Sequence, residues 1–571
     1  MGFPLQNFYE AIENNARFRP RKSVLFIDKQ QVSNRKLKRR IDVFASYLKQ
    51  LGIKKGDRVA LIVENSEEYI ISIFAITKLG AIVVPVNTFL KHEEFEFILN
   101  DCGASLLISS AKFAKETKSL PQITKIEKII WVGEYEDEDE DNFSFSKIIK
   151  NQKFIEDDDD RPSLDDIACI VYTSGTTGKP KGAMLSYRNI FSNVFYGGEL
   201  FKITQKDRFI VYLPMFHVFT FTIMLIMPIC RGSSIIIVKS VFPFSNVIKQ
   251  TLLKRATIFL GVPTIFNAMN KAKIPWYFMW FNKIRIFLSG SAPLNEVVLN
   301  DFSKKFKRAT LLESYGLSEC SPGVAANTLE RQKPYSVGLP LKEFDVKIVD
   351  DEMLELKPGE VGEIIVKGEC VMQGYYGRAD ATDETIVNGW LRTGDLGKKD
   401  EDGFLYIVDR KKDLIISKGI NIYPREIEEA IMKYEGIDSV AVVGQADETS
   451  DEDVVAFIQL KDEVESISEK DLKKYLKLHL ANFKIPKHIY VVEELPKNAT
   501  GKVLKRVLKE ELSKGDFLQT KPQQEKPLED KEEKEPIKNQ EDSNEEDKQD
   551  QAQDKQTKEN LDAKKADGLV D

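Results

Sequence analysis

The run YTSGTTGKPKGAMLS, residues 172–186, concentrates glycines, hydroxyls and lysines directly after the apolar segment IACIV. Its glycines allow tight turns that point several backbone N–H groups at one spot. The residues that could grip an anion here are Thr173, Ser174, Gly175, Thr176, Thr177, Gly178, Lys179, Lys181 and Gly182. Such a loop suits a polyphosphate, although a cluster of Gly, Ser, Thr and Lys is by itself more typical of a plain surface loop.

A Walker A loop is the first alternative, and it requires the spacing G-x-x-x-x-G-K-[ST]. Here only Thr176 and Thr177 separate Gly175 from Gly178, and Pro180 follows Lys179. The spacing therefore excludes the P-loop NTPases. What kind of phosphate is bound must be decided from the rest of the chain.

Four later stretches add chemically useful side chains. They are ESYGLSECS, residues 313–321, GWLRTGDLG, residues 389–397, VDRKKDLIISKGINIYPREIE and LPKNATGKVLKR. The candidate residues in these stretches are Tyr315, Gly316, Ser318, Glu319, Asp395, Arg410, Lys412, Gly419 and Lys502. Each is weak when taken alone, because an Asp in T-G-D is usually a turn former and a Lys in a polar loop is usually solvated. Their order along the chain is what gives them weight.

The elements that must position these residues alternate between strands and helices. RVALIVEN and GAIVVPVN are typical of buried strands, and SEEYIISIFAITKLG between them is typical of a helix. Residues 338–407 change to short strands and turns, and residues 134–166 predict an acidic, solvated connection. Near the end, Pro424 begins one predicted helix and Ser468 caps another. The pattern predicts an α/β protein with a smaller unit after it.

Composition excludes some classes of function. The chain has 571 residues, 42% of them hydrophobic, and a formal net charge of −7. Residues 521–571 carry 10 basic and 17 acidic residues, so the remainder is formally neutral and does not resemble a nucleic-acid binder. The segment after residue 515 has almost no large apolar residues and is predicted to be disordered.

Signals of export and membrane insertion are weak. The five cysteines, Cys102, Cys169, Cys230, Cys320 and Cys370, are scattered and favour neither zinc nor disulfides, which fits a cytoplasmic protein. The first residues lack a signal peptide, and Gln6 breaks a myristoylation signal. Residues 209–230 are nearly long enough to cross a bilayer, but two prolines and His217 interrupt them. We expect a buried strand, a turn and a core helix there.

Taken together and in order, the five motifs resemble the adenylate-forming superfamily, which contains acyl-CoA synthetases, firefly-luciferase-like enzymes and peptide-synthetase adenylation domains. The resemblance covers about residues 8–512. It implies an α/β fold with a large N-terminal domain (residues 1–409, two layered α/β sheets plus a small β-barrel-like unit). A small, mobile α+β C-terminal domain (residues 410–514) and an acidic tail (residues 515–571) would follow.

The same resemblance implies a two-step reaction. A carboxylate attacks the α-phosphate of ATP, giving acyl-AMP and pyrophosphate, and a thiol, usually of coenzyme A, then displaces AMP. The phosphate loop would hold the β- and γ-phosphates, and Glu319 with Thr173 would bind Mg²⁺, which prefers hard oxygen ligands. The remaining nucleotide contacts would come from Tyr315, Gly316, Ser318, Gly290, Ser291, Ala292, Asp395 and Arg410.

Three further roles follow from the resemblance. Lys502 would bridge the substrate carboxylate and the α-phosphate, where negative charge builds up in the transition state. Lys412 would be the hinge about which the C-terminal domain turns between the two steps, and Gly419 would lie along the path of the thiol. Two departures are mild, since Ser318 replaces the usual Thr and YYGRADAT lacks a common proline.

The acid is less well defined than the nucleotide. The apolar run LPMFHVFTFTIMLIMPIC lies where the family builds its acyl pocket, so His217 and Phe221 are pocket candidates, although either could be plain core. We expect a medium- to long-chain fatty acid. An acyl–acyl-carrier-protein ligase, a CoA ligase for an aromatic acid and a non-catalytic nucleotide-binding protein stay open. Because the expected substrate is a lipid, we also expect transient contact with the inner membrane face.

We predict that Lys502→Ala abolishes formation of acyl-AMP but spares thioester formation from supplied acyl-AMP, because the amine acts only on the first step. Gly419→Leu should do the reverse, because a side chain there obstructs the thiol. Both half-reactions should be measured for both variants. Equal loss of both half-reactions in both variants would contradict the two-step interpretation.

Overall fold

The computed structural model of the protein describes residues 3–135, 142–151, 161–173, 179–241, 243–417, 420–446, 452–498 and 501–514. The strands are β1 Ser23–Ile27, β2 Gln30–Ser33, β3 Arg58–Ile62, β4 Ile82–Pro85, β5 Leu106–Ser110, β6 Lys128–Val132, β7 Asn142–Ser144, β8 Ile167–Thr173, β9 Lys181–Ser186, β10 Arg208–Val211, β11 Ser234–Ile237, β12 Ile258–Gly261, β13 Ile286–Ser289, β14 Leu311–Gly316, β15 Gly323–Ala326, β16 Leu339–Pro340, β17 Asp345–Val349, β18 Gly362–Lys367, β19 Ile386–Val387, β20 Trp390–Lys399, β21 Leu405–Arg410, β22 Ile415–Ser417, β23 Ile420–Ile422, β24 Ile437–Ala446, β25 Glu452–Leu460 and β26 His488–Val491.

The α-helices are α1 Phe8–Phe18, α2 Asn34–Gln50, α3 Glu67–Lys78, α4 His92–Cys102, α5 Ala114–Thr117, α6 Phe145–Asn151, α7 Tyr187–Ser192, α8 Gly198–Leu200, α9 Met227–Cys230, α10 Phe244–Leu253, α11 Pro263–Lys271, α12 Trp276–Phe281, α13 Glu296–Lys305, α14 Ala379–Thr385, α15 Pro424–Met432, α16 Glu469–His479 and α17 Lys505–Lys514. Two π-helical segments cover Asn193–Gly197 and Phe219–Ile226.

Two mostly parallel sheets form the larger part of the molecule. Within the described residues one has the strand order β16-β15-β14-β13-β12-β10-β11-β1-β2, and the other has β7-β6-β5-β3-β4-β8-β9. Their central strands are continuous apolar runs buried along their whole length, such as β12, IFLG, because helices cover both faces. Strands β17 to β21 then form an antiparallel unit. The predicted fold class is confirmed, including the third, all-β unit.

The prediction of a solvated connection over residues 134–166 is wrong for residues 142–151. Residues 142–151 are not a plain solvated linker, because β7 extends the second sheet and α6 follows it directly. Phe145 and Ile148 of α6 are buried, and the Phe145 ring lies 4.4 Å from that of Phe44. Four hydrophobic side chains in FSFSKII bury enough apolar surface to order this stretch between its charged flanks. The neighbouring residues 136–141 and 152–160 lie outside the described residues.

The long apolar run folds inside the protein as expected. Strand β10 is followed by a turn, the π-helical segment Phe219–Ile226 and helix α9, all largely buried. The π-helical geometry was not predicted, and such segments occur often at functional sites. Across the part of the chain that the structure describes, no helix combines the length and the hydrophobicity needed to cross a membrane.

The chain after β21 builds its own small cores. Helix α15 and strands β24 and β25 enclose one cluster of buried apolar residues, and α17 packs on the other face of β24 to form a second. The expected cap is present, since Ser468 Oγ accepts a hydrogen bond from the Asp471 N–H at 3.2 Å. The boundary at residues 409–410 stays a prediction. Residues 515–571, the predicted tail, lie outside the described residues.

Candidate active site

The carboxylate of Glu319 is the centre of one group of predicted residues. The Thr173 hydroxyl donates to Glu319 Oε1 at 3.4 Å, and the Tyr375 hydroxyl donates to the same oxygen at 3.0 Å. The Lys181 ammonium lies 5.2 Å from the centre of the Tyr375 ring, a distance at which cation–π attraction operates. The structure thus brings the two ends of the phosphate loop together with the predicted metal ligand.

Strand pairing explains this convergence. Strands β8 and β9 form an antiparallel pair in which Thr173 stands opposite Lys181. Residues 373–376 run alongside β9, with the Met184 N–H donating to the Gly374 carbonyl and the Tyr376 N–H to the Gly182 carbonyl. The loop between β8 and β9 is therefore held at both ends. Its residues Ser174, Gly175, Thr176 and Thr177 lie outside the described residues, as does Gly419.

Asp395 is the centre of a second group. The Tyr315 hydroxyl donates to Asp395 Oδ2 at 2.7 Å, and Arg410 Nε lies 3.0 Å from Asp395 Oδ1. Asp395 and Arg410 stand directly opposite each other on β20 and β21, so the ion pair is a cross-strand pair. The Thr393 hydroxyl accepts from the Asp395 N–H at 3.1 Å and fixes the turn before it. A buried carboxylate held this way can accept hydrogen bonds from two adjacent hydroxyls of a ligand.

The loop of Gly290, Ser291 and Ala292 begins where β13 ends, next to the strand that carries Tyr315. Ser314 Oγ donates to the Ser289 carbonyl at 3.0 Å, which ties the two strands together at this point. Gly316 must be glycine, because a Cβ there would lie 2.1 Å from the Pro322 carbonyl oxygen. Ser318 begins the short 3₁₀ turn Ser318–Cys320 that presents Glu319.

Lys502 reaches this part of the molecule from the end of the chain. Burial lowers the pKa of its ammonium to about 8, nearby Arg410 and Lys412 act in the same direction, and Asp395 and Asp413 raise it. The amine therefore shares its surroundings with the Asp395–Arg410 pair. Lys412, the predicted hinge, lies in a 3₁₀ turn directly after β21, and its pKa is lowered by burial and by Arg410.

The loop before Lys502 is docked on helix α11. Gly501 has a φ of +80°, and a Cβ there would lie 2.6 Å from Thr264 Oγ1 at the start of that helix. Two ion pairs join the same two parts of the molecule: Lys433 with Glu296 at 2.7 Å, and Lys271 with Asp438. The position of Lys502 is thus determined by close packing and by charge pairs around it.

A buried acid lies two residues before Tyr315. Glu313 is 6% exposed, and its Oε1 has no hydrogen-bond partner among the described residues. Burial raises the pKa of this carboxyl to about 7, while Arg425 of α15 lowers it and Glu429 raises it. Glu313 belongs to β14 in the large sheet, so the charges it senses belong to the smaller C-terminal unit.

The predicted acyl-pocket residues lie on the apolar segment around the second π-helix. Phe221 is fully buried, and burial lowers the pKa of His217 to about 4, so this imidazole is neutral at ordinary pH. Phe219, between them, would lie 3.5 Å from a Cβ built on Gly290. The segment therefore adjoins the predicted nucleotide loop, which is where an acid awaiting activation has to lie.

The oxygen atoms of Glu319 and Thr173 are the predicted ligands of Mg²⁺. Among the described residues no three His, Cys, Asp or Glu side chains form a group that could hold a metal. Mg²⁺ is usually held by one or two carboxylates together with substrate phosphates, and it keeps several waters. Glu319, with the Thr173 hydroxyl beside it at the mouth of the phosphate loop, fits this mode of binding.

Comparison with known proteins identifies the family. Residues 12–376 match the model of the AMP-binding enzyme family, and residues 426–502 match the AMP-binding enzyme C-terminal domain. The chain belongs to the AMP-binding enzyme family. Curated relatives include the long-chain-fatty-acid–CoA ligase of Salmonella typhimurium, 36% identical over 84% of this chain and 89% of the relative. The Bacillus subtilis protein of the same name is 35% identical over 82% of this chain and 88% of the relative.

Several proteins with solved structures share this fold. ATP-bound MatB from Rhodopseudomonas palustris superposes with a TM-score of 0.81 at 28% identity, covering 89% of this chain and 99% of that one. The o-succinylbenzoate CoA synthetase of Bacillus subtilis, in complex with its acyl-adenylate, superposes with a TM-score of 0.77 at 29% identity. The match covers 88% of this chain and 98% of that one. The resemblance inferred from the five motifs is therefore confirmed at the level of the family.

Several residues of the site were not predicted from the sequence. Tyr375, which donates to the same Glu319 oxygen as Thr173, belongs to the stretch YYGRADAT, in which the sequence predicted no site residue. Thr264 and Arg425 face Gly501 and Glu313 from distant parts of the chain. Tyr375 is the first tyrosine of the pair Tyr375–Tyr376, and an aromatic pair between two glycines is a signal that could have pointed to it.

We predict that Glu313→Gln stabilises the protein at high pH relative to low pH. The folded-state pKa is raised from 4.5 to about 7, so the stability contributed by the neutral carboxyl is present below pH 4.5 and is lost as the pH rises to 7. A glutamine does not titrate. The free energy of unfolding of Glu313→Gln should therefore rise relative to that of the wild type by up to about 3 kcal/mol between pH 4.5 and pH 7. Thermal denaturation of both proteins at pH 5 and pH 8 measures the direction.

Glu296→Gln is the matched control for this experiment. Lys433 and Tyr335 lower the pKa of Glu296. Replacing this carboxylate with an amide should therefore not stabilise the protein at high pH relative to low pH. A difference in Tm between wild type and Glu313→Gln that stays constant from pH 5 to pH 8 would show that Glu313 is ionised in the folded protein throughout.

Proposed function

We propose that the protein is an AMP-forming acid–CoA ligase that activates a medium- to long-chain fatty acid. The observation that carries the proposal is the position of Lys502, whose amine lies in the electrostatic neighbourhood of Asp395 and Arg410. That pair is joined through Tyr315 to the motif containing Glu319. The family, and relatives named long-chain-fatty-acid–CoA ligases, support the same reaction.

In the first step a carboxylate oxygen of the acid bonds to the α-phosphorus of ATP, and the bond to pyrophosphate breaks. Displacement at phosphorus requires alignment and neutralisation of charge more than covalent help from the protein. Lys502 and Arg410 supply positive charge where the α-phosphate and carboxylate meet. Asp395 holds the ribose, Tyr315 lies along the adenine, and residues 173–181 hold the outer phosphates. Mg²⁺ on Glu319 would neutralise part of their charge.

In the second step the sulfur of coenzyme A bonds to the acyl carbon, and the bond to AMP breaks. The C-terminal unit has its own apolar cores and contacts the larger part through charge pairs such as Lys433–Glu296. Contacts of this polar kind allow one unit to move against another more readily than a continuous apolar core does. We assign residues 1–409 and 410–514 to the two domains on this basis, with Lys412 as the pivot.

The acid occupies the apolar segment that contains His217 and Phe221. A neutral imidazole and a fully buried phenyl ring give an uncharged lining, and no Lys or Arg occurs between Arg208 and Arg231. Such a pocket favours an alkyl chain over a dicarboxylate or an amino acid. Because free fatty acids partition into bilayers, we further propose that the enzyme acts in the cytoplasm and touches the inner membrane surface transiently.

We predict the highest kcat/KM for decanoate or palmitate in a panel with hexanoate, 4-coumarate and succinylbenzoate, measured as acid-dependent release of AMP in the presence of coenzyme A. Preference for 4-coumarate would make the protein an aromatic acid–CoA ligase. AMP release that requires a phosphopantetheinylated carrier protein in place of coenzyme A would make it an acyl-carrier-protein ligase. Absence of pyrophosphate exchange with every acid would indicate a nucleotide-binding protein without activity.

We also predict that kcat/KM for adenylation falls as the pH rises above about 8. The pKa of Lys502 is lowered to about 8, so the free enzyme loses the required positive charge above that pH, and kcat/KM reports groups of the free enzyme. Lys502→Arg should weaken activity but remove this alkaline decline, because a guanidinium stays protonated. Lys470→Ala, an exposed lysine on α16, is the control and should keep the wild-type profile. If kcat/KM of Lys502→Arg still fell above pH 8 as in the wild type, the alkaline decline would belong to another titrating group.

A further inference from the structure

Helix α12 presents an aromatic face to the solvent. Trp276, Tyr277, Trp280 and Phe281 are 72%, 44%, 63% and 64% exposed, and we call these four residues the aromatic patch. They follow the i, i+1, i+4, i+5 spacing that places side chains on one side of a helix. Phe278 points the other way and is fully buried in the main core. The helix is thus anchored by one phenylalanine while its largest apolar side chains remain outside.

The chain on both sides of the aromatic patch is basic. Residues 239–295 contain eight lysines and arginines and no aspartate or glutamate, although residues 1–520 taken together are formally neutral. Lys239 pairs with Asp28, Lys271 with Asp438 and Arg285 with Asp207. Lys273 and Lys283, which flank α12, are exposed and have no carboxylate within ion-pair distance in the part of the chain that the structure describes.

A second basic segment meets α12 from the end of α13. Arg308 lies over the Trp280 ring, with its guanidinium carbon 4.1 Å from the ring centroid. The Lys305 ammonium donates to the carbonyls of Met269, Asn270 and Ala272 just before α12, at 2.9, 2.6 and 2.6 Å. The aromatic patch therefore has cations on more than one side, and the two basic segments are tied together.

We propose that the aromatic patch and its basic surround dock this protein on the surface of an anionic phospholipid bilayer. Indole and phenol rings prefer the boundary between acyl chains and headgroups, because one part of each ring system is apolar and another is polar. Lysines and arginines beside them interact with lipid phosphates. A helix of six residues cannot span a bilayer, so α12 lies along the surface. Free charge around exposed aromatics favours this partner over a second copy of the chain, whose own basic patch would repel it.

Co-sedimentation of the full chain with vesicles tests the proposal. We expect binding to vesicles of phosphatidylcholine and phosphatidylglycerol in equal parts, weak binding to phosphatidylcholine alone, and weakening by salt. Two of the four tryptophans of the chain, Trp276 and Trp280, belong to the patch, while Trp131 is fully buried. Tryptophan emission should therefore shift to the blue when the anionic vesicles bind.

Paired variants separate the patch from general effects of charge and hydrophobicity. Trp276→Ser with Trp280→Ser should lose most vesicle binding and the spectral shift, and the control Phe18→Ser with Leu329→Ser removes two other exposed apolar side chains, 69% and 50% exposed. Lys273→Glu with Lys283→Glu should weaken binding at least about 25-fold, since each basic residue near an anionic surface contributes about fivefold. Lys29→Glu with Lys36→Glu is the control of equal charge.

The readouts do not depend on the proposed reaction, because vesicle binding needs no turnover. Activity towards a water-soluble short acid should be unchanged in all four double variants, which separates loss of docking from loss of catalysis. Vesicle binding that survives in the tryptophan variant would overturn the proposal. So would light scattering that shows a dimer in the wild type and a monomer in the tryptophan variant, because the patch would then be a contact between two copies.

Discussion

The whole site depends on holding a lysine ammonium, partly buried, beside an arginine. Lys502 and Arg410 repel each other, and burial adds to the penalty, which is why the pKa of the lysine falls to about 8. Asp395 offsets part of this repulsion but is already paired with Arg410 at 3.0 Å. The pKa of Lys502 stays lowered although Asp395 and Asp413 raise it, so further negative charge beside the amine would stabilise its protonated form. A triphosphate and a carboxylate provide such charge, so binding of the substrates and alignment of the lysine stabilise each other.

Strand β14 connects this charge balance to the rest of the fold. Ser314 binds the end of β13, Tyr315 binds Asp395, and Glu313 faces helix α15. Consecutive residues of one strand thus link the predicted nucleotide loop, the Asp395 carboxylate and the unit that carries Lys502. Because side chains alternate along a strand, Glu313 and Tyr315 lie on one side and Ser314 on the other. A shift of this strand would disturb all three contacts together.

The sequence predicted the parts of the site that lie in contiguous motifs. Thr173 was predicted from the glycines, hydroxyls and charges of its loop, whereas Glu319, Asp395, Arg410 and Lys502 were predicted because the five ordered motifs resemble one family. The residues that position them were not, since Thr264 acts on Gly501 across more than two hundred positions of chain and Glu313 is distinctive only through its burial. The same reason explains residues 142–151. Their charge was visible in the sequence, whereas the surface that buries Phe145 is created by tertiary packing.

Average charge was the weakest guide to the surface of this molecule. The neutrality of residues 1–520 argues against a nucleic-acid binder, yet it conceals a stretch from Lys239 to Asn295 with eight positive charges and no negative ones. An exposed charge is felt over roughly 10 Å at ordinary ionic strength. A lipid surface at α12 would therefore sense Lys273, Lys283 and Arg308, and not the carboxylates that balance them elsewhere. Net charge is a sum over the chain, while adhesion depends on which charges share one face with Trp276 and Trp280.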